Sequence, residues 1–69
     1  MAKLLVLNRK QTFELGKYIS IKTKSGKGYG GILKRLTIEG LVVDQNYIDF
    51  EDIEIMDHEL CEHFRVIEV

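Results

Sequence analysis

Between Tyr18 and Lys24 the chain reads YISIKTK, which sets Ile19, Ile21 and Thr23 against Tyr18, Ser20, Lys22 and Lys24. Successive side chains of an extended chain point to opposite faces, so this alternation predicts a half-buried strand. Lys3 to Leu7 (KLLVL) is a short apolar run, consistent with a buried strand. Tyr29 to Leu36 carries Ile32, Leu33 and Leu36 behind the pair Gly30-Gly31, where glycine permits the sharp bend by which small sheets curl. Leu41 to Asp44 and Tyr47 to Phe50 flank Gln45-Asn46, a hairpin connection in which Asn46 tolerates a left-handed conformation. Glu51-Asp52 makes one further turn before Ile53 to Met56. Phe64 to Val69 (FRVIEV) is again rich in β-formers, reached through the polar segment Asp57 to His63.

One stretch supports two readings. Asn8 offers an N-cap, Gln11 stands three residues on as in a capping box, and Gly16 supplies a stop, which together predict a short helix over Arg9 to Leu15. Two basic residues in its first turn oppose the helix dipole and favour a turn followed by an extended segment. With no proline, repeat or linker, the pattern predicts one mainly β domain over residues 1–69. The expected fold is a five- to six-stranded, strongly bent antiparallel barrel, with one short N-terminal helix as an optional addition.

Composition narrows the class. The chain is 45% hydrophobic and 30% charged with no long apolar run, which predicts a soluble, cytoplasmic protein without a membrane partner. Cys61 is the only cysteine, so an intramolecular disulfide is impossible and a reducing compartment is the simplest expectation. A core this small is only narrowly sufficient, so self-association into a homo-oligomer would help. The net charge of −1 hides a segregation. Residues 1–36 hold nine basic residues and one acid (+8), whereas residues 37–69 hold ten acids and one base (−9). Such asymmetry suggests a polyanion-facing region or charge-complementary self-assembly, unless the fold interleaves the two halves.

Gly26, Gly28 and Gly31 stand at the G-x-G-x-x-G spacing of a dinucleotide fingerprint, and Asp44 tempts as its ribose-binding acid. The spacing fails, because only Ile32 to Glu39 would remain for a crossover that needs roughly a dozen residues or more. No Gly-Lys is followed by Ser or Thr, so a Walker-type site is absent too, and no cofactor is expected. The alternative is a hairpin closed by a Ser-Gly turn.

The run GKYISIKTKSGKGYGGILKRLTIEGLVV followed by YIDFEDIEIM resembles the Sm-like family and, more broadly, SH3-like small barrels. Gly26, Tyr29, Gly31 and Leu33 would occupy the first motif, Leu41 to Val43 the next strand, and Ile48, Phe50, Ile53 and Ile55 the last. The resemblance implies a barrel, and commonly a ring that binds single-stranded RNA. The chain departs from the family where RNA is held: the bend reads Thr37, Ile38, Glu39, Gly40 without the family's Asp and Asn, and the final loop reads Tyr47, Ile48, Asp49, Phe50 instead of a basic element. A barrel ending in an acidic segment and an extra strand is also similar to the small Sm-like inhibitors of the termination factor Rho, which bind protein.

Candidate nucleic-acid residues are therefore Lys22, Lys24, Lys27, Lys34 and Arg35 for phosphate, with Tyr29 and Tyr18 as stacking faces. The competing reading makes the lysines a solvated strand face and Tyr29 partly core. Asp49, Glu51, Asp52 and Glu54 head an acidic run that either deters edge-to-edge aggregation or occupies the basic surface of a protein partner. His58, Cys61 and His63 offer imidazole and thiolate, but a structural zinc site needs four ligands and no Cys-x-x-Cys knuckle exists, so neither a metal nor a catalytic centre is expected. The resulting expectation is a non-enzymatic bacterial or phage accessory module. Its basic half contacts nucleic acid, RNA ahead of DNA, or else its acidic half binds a protein.

Overall fold

The computed structural model describes residues 3–68. Nine strands and no α-helix occur among them: β1 (Lys3–Leu7), β2 (Gln11–Glu14), β3 (Tyr18–Thr23), β4 (Gly28–Leu36), β5 (Gly40–Val43), β6 (Asn46–Asp49), β7 (Ile53–Met56), β8 (Glu59–Leu60) and β9 (Phe64–Glu68). A single 3-10 turn, Phe50–Asp52, joins β6 to β7. The strands form two antiparallel sheets, a larger one in the order β6-β5-β4-β3-β7-β8 and a smaller one in the order β2-β1-β9. This corrects the expected strand count, and the strands hydrogen-bond as two open sheets rather than one closed ring.

Alternation sets which residues face inward. Ile19 and Ile21 of β3 are buried, and so are Leu33 and Leu36 of β4, Leu41 and Val43 of β5, and Ile53 and Met56 of β7. Leu5 and Leu7 of β1 are fully buried against them, so the small sheet covers the inner face of the large one with a single shared core. Phe50 and Phe64 stack with ring centroids 4.6 Å apart, tying the 3-10 turn to β9. The Cα radius of gyration, 10.7 Å, matches the roughly 11 Å of a compact domain of this length.

The helix over Arg9 to Leu15 does not form. Asn8 (φ 52°) and Arg9 (φ 61°) both take left-handed conformations, and Lys10 N–H donates to Leu7 O at 3.0 Å, which closes a tight turn into β2. Asn8 caps nothing locally. Its side-chain oxygen accepts the N–H of Glu62 (2.8 Å) and of His63 (3.0 Å), and its amide donates to Leu60 O at 2.7 Å. Three bonds to the chain that links the two sheets outweigh one local cap, and the extended reading prevails.

The hairpin turn after β5 lies one residue earlier than expected. Val43 pairs with Asn46, leaving Asp44-Gln45 as the loop, and it is Asp44 (φ 53°) that takes the left-handed conformation. Asp57 (φ 53°) and His58 (φ 69°) form a similar two-residue turn between β7 and β8. Val69, the last residue of the expected final strand, lies outside the described residues.

Candidate nucleic-acid interface

β3 and β4 form one hairpin, with Tyr18 opposite Ile32, Ser20 opposite Gly30 and Lys22 opposite Gly28. These pairs share the outward face, because Ile19 and Ile21 between them are buried. The hairpin tip is closed by the Thr23 hydroxyl, which accepts Lys27 N–H at 3.0 Å and shares a 2.9 Å bond with Ser25 Oγ. Gly26 sits at φ 93°, the left-handed conformation the turn requires. Thr23 is buried and fully partnered, so the tip is a fixed platform carrying the exposed Lys22, Lys24 and Lys27.

The glycine spacing thus has a structural role. β4 runs antiparallel to both β3 and β5, and no helix opens on Gly31. The Asp44 carboxylate occupies the space a Gly31 side chain would fill, and its Oδ1 accepts Ile32 N–H at 3.0 Å. The residue that tempted as a ribose acid holds a β4 amide instead. The Tyr18 ring lies over Gly30, where its hydroxyl would stand 2.6 Å from an added Cβ. Tyr18 is 67% exposed, so the outward face presents one open ring beside a floor of glycine and serine, with Lys22 on the same face.

The remaining candidates divide. Tyr29 pairs with Ile21 on the inward side and is half-buried against the core, where it lines a hollow with Lys27 and Tyr47 beside the hairpin tip. Lys34 and Arg35 are exposed at the far end of β4, where a register irregularity between Leu33 and Arg35 turns both outward. Lys34 there shares a shallow hollow with Asp44, Gln45 and Asn46. The two charge halves meet at the hairpin tip, since Lys24 N–H donates to Asp52 O at 2.8 Å and thereby seats the acidic 3-10 turn beside it. Asp49, Glu51 and Asp52 are exposed around that turn, whereas Glu54 is half-buried at a register shift of β7 against β3.

The bend Thr37 to Gly40 and the 3-10 turn come together through Phe50 N–H donating to Glu39 O at 3.0 Å. Ile38, Glu39, Asp49, Phe50 and Glu51 line the hollow between them. This is the pair of loops at which the sequence departs from the Sm-like pattern, and it is acidic. Tyr47 stands beside it with its phenol held above the usual range, chiefly by its hydrogen bond to the Asp49 carboxylate.

Burial pushes the Cys61 thiol up to about 11, with Glu59 adding to the rise. It is therefore a protonated thiol near neutrality. Among the described residues no group of three or more His, Cys, Asp or Glu could hold a metal ion, and no helix is long and apolar enough to cross a membrane. No family model, curated protein or solved structure matches the chain.

Proposed function

We propose that this chain is a non-enzymatic binding module that takes single-stranded nucleic acid, RNA ahead of DNA, on the outward face of the β3–β4 hairpin. One observation carries the reading: an open tyrosine ring lies on a glycine floor with a lysine on the same strand face and two more at the adjoining tip. A base can stack on any exposed ring, while lysines neutralise the backbone without reading sequence. Gly28, opposite Lys22, has no side chain to block the approach of a planar base. Tyr18 takes the stacking role, Lys22, Lys24 and Lys27 the phosphate role, and Lys34 with Arg35 extends the cationic track along β4.

Fluorescence anisotropy with a labelled single-stranded oligoribonucleotide tests it. The double variant Lys24→Glu, Lys27→Glu is expected to bind more weakly and to flatten the log–log salt slope by about 1.4, the share of two phosphate contacts on a single strand. Tyr18→Ala is expected to lose on the order of tenfold in affinity with the slope unchanged, because stacking releases no counterions. Binding by both variants indistinguishable from wild type would refute the assignment.

A further inference from the structure

The outer face of the small sheet is open. Leu4, Val6 and Ile67 stand there half-buried, since Val6 pairs with Arg65 and Leu4 with Ile67 on the side away from Leu5 and Leu7. At the Asn8 end this face is a hollow lined by Val6, Arg9, His63, Arg65 and Ile67, an apolar floor between two guanidiniums. Glu14 lies on this face opposite Leu4, and Glu59 and Glu62 stand beside Arg9 and His63 in the adjoining hollow, which leaves Arg65 as the cation clear of acids at the apolar floor.

Elsewhere the molecule carries a matching relief. Ile38 is 91% exposed, next to Glu39 and across the hollow from Asp49 and Glu51. Its loop is fixed, because the Thr37 hydroxyl accepts the N–H of Glu39 (3.2 Å) and of Gly40 (3.0 Å). A lone exposed isoleucine is ordinary on a soluble protein. This one is held out on a rigid loop and ringed by the sign of charge opposite to that around the apolar hollow.

The two surfaces cannot meet within one chain. The two hollows share no lining residue, and the Ile38 loop is held in place by Lys3 Nζ donating to Leu36 O at 3.3 Å and by the neighbouring 3-10 turn, where Phe50 stacks on Phe64. We propose that a second copy of this chain docks head to tail, with Ile38 seated on Val6 and Ile67 and the acids around it paired to Arg65. The fixed loop reduces the ordering cost of binding, and complementary charge steers the encounter and rejects the reversed pairing. The contact joins two different surfaces, so it builds a ring or an open chain of copies rather than a closed two-fold dimer. Neither surface includes Tyr18, Lys22, Lys24 or Lys27, so the assembly is independent of nucleic-acid binding.

Sedimentation velocity on nuclease-treated protein over a dilution series tests this. Wild type is expected to sediment as species larger than a monomer that dissociate on dilution and in high salt. Ile38→Glu and Arg65→Glu are each expected to weaken self-association by about 30-fold, the effect of losing a central anchor. Both residues are exposed, and a far-ultraviolet spectrum matching wild type shows that each variant folds. Mixed together, the two variants are expected to form a one-to-one heterodimer and nothing larger, since each retains the surface the other lacks. A monomeric wild type, self-association of either variant at wild-type strength, or a mixture that stays monomeric would each overturn the proposal.

Discussion

Gly31 is constrained by a carboxylate. Asp44 reaches back across the β4–β5 hairpin in a left-handed conformation, its N–H donating to Ile32 O at 2.9 Å while its Oδ1 accepts Ile32 N–H. An alanine at 31 would drive its Cβ into that carboxylate, so Gly31→Ala is expected to destabilise by about 1–3 kcal/mol. The clash needs both partners, and in an Asp44→Ala background the same alanine is expected to cost less than it does in wild type. Urea denaturation of the two single variants and the double measures this; strict additivity would mean the alanine acts some other way. Asn8 shows the converse, one side chain doing the work of several. Replacing it with glycine keeps the left-handed turn while removing three hydrogen bonds, and the expected loss of about 1.5–3 kcal/mol is read in the same denaturation series. At Cys61 the attacking species is the thiolate, and the thiol is raised to about 11. Iodoacetamide labelling of the folded protein is therefore expected to rise about tenfold per pH unit up to the neighbourhood of pH 10, where an ordinary thiol would level off near pH 9.

Elements were legible in the sequence wherever the signal was local. YISIKTK alternates because one face of β3 is core, and its register against β4 follows from the tip that Gly26 allows. The β4 irregularity falls at LKRL, two charged residues in a row between two buried leucines, and was not anticipated from a sequence that placed the bend at Gly30-Gly31. Asn8 misled because its side chain serves contacts more than fifty residues away, which no local window contains. The same limit hid the small sheet: β1, β2 and β9 read as strands or as ambiguous, but nothing local announces that β1 pairs with β9 and that they leave the large sheet open. Of the site, the lysines were legible as exposed positions on a strand face. Tyr29 is half-buried where the lysines are exposed, because it lies opposite Ile21, and no local window reveals that pairing. At the turn between β7 and β8, Asp57 and His58 both hold left-handed conformations that a Cβ disfavours. His58→Gly is expected to raise stability by about 0.5–1 kcal/mol, the relief of strain exceeding the added entropy of the unfolded chain, and a thermal melt would show it as a higher Tm.

Over the whole molecule, the sequence places basic residues before acidic ones, and the fold partly interleaves them. The acidic 3-10 turn is bonded beside the basic hairpin tip, while Arg65, the base of the second half, returns to the small sheet beside Arg9. What makes the two sheets one body is apolar. Leu5 and Leu7 belong to the small sheet yet are fully buried in the shared core, and the Phe50–Phe64 stack adds a second tie at the 3-10 turn. If the small sheet depends on that core for its own burial, it has no independent stability, since three short strands with one apolar face need something to pack against. Phe64→Ala is then expected to lower the stability of the whole molecule by about 2–4 kcal/mol, less than the full range for a completely buried phenylalanine because Phe64 is half-buried. The loss should leave a single transition, with far-ultraviolet circular dichroism and tyrosine fluorescence changing at the same urea concentration. Two separated transitions in that variant would mean that β2-β1-β9 melts away from a large sheet able to stand alone, and that the stacked rings, not the leucines of β1, join the halves.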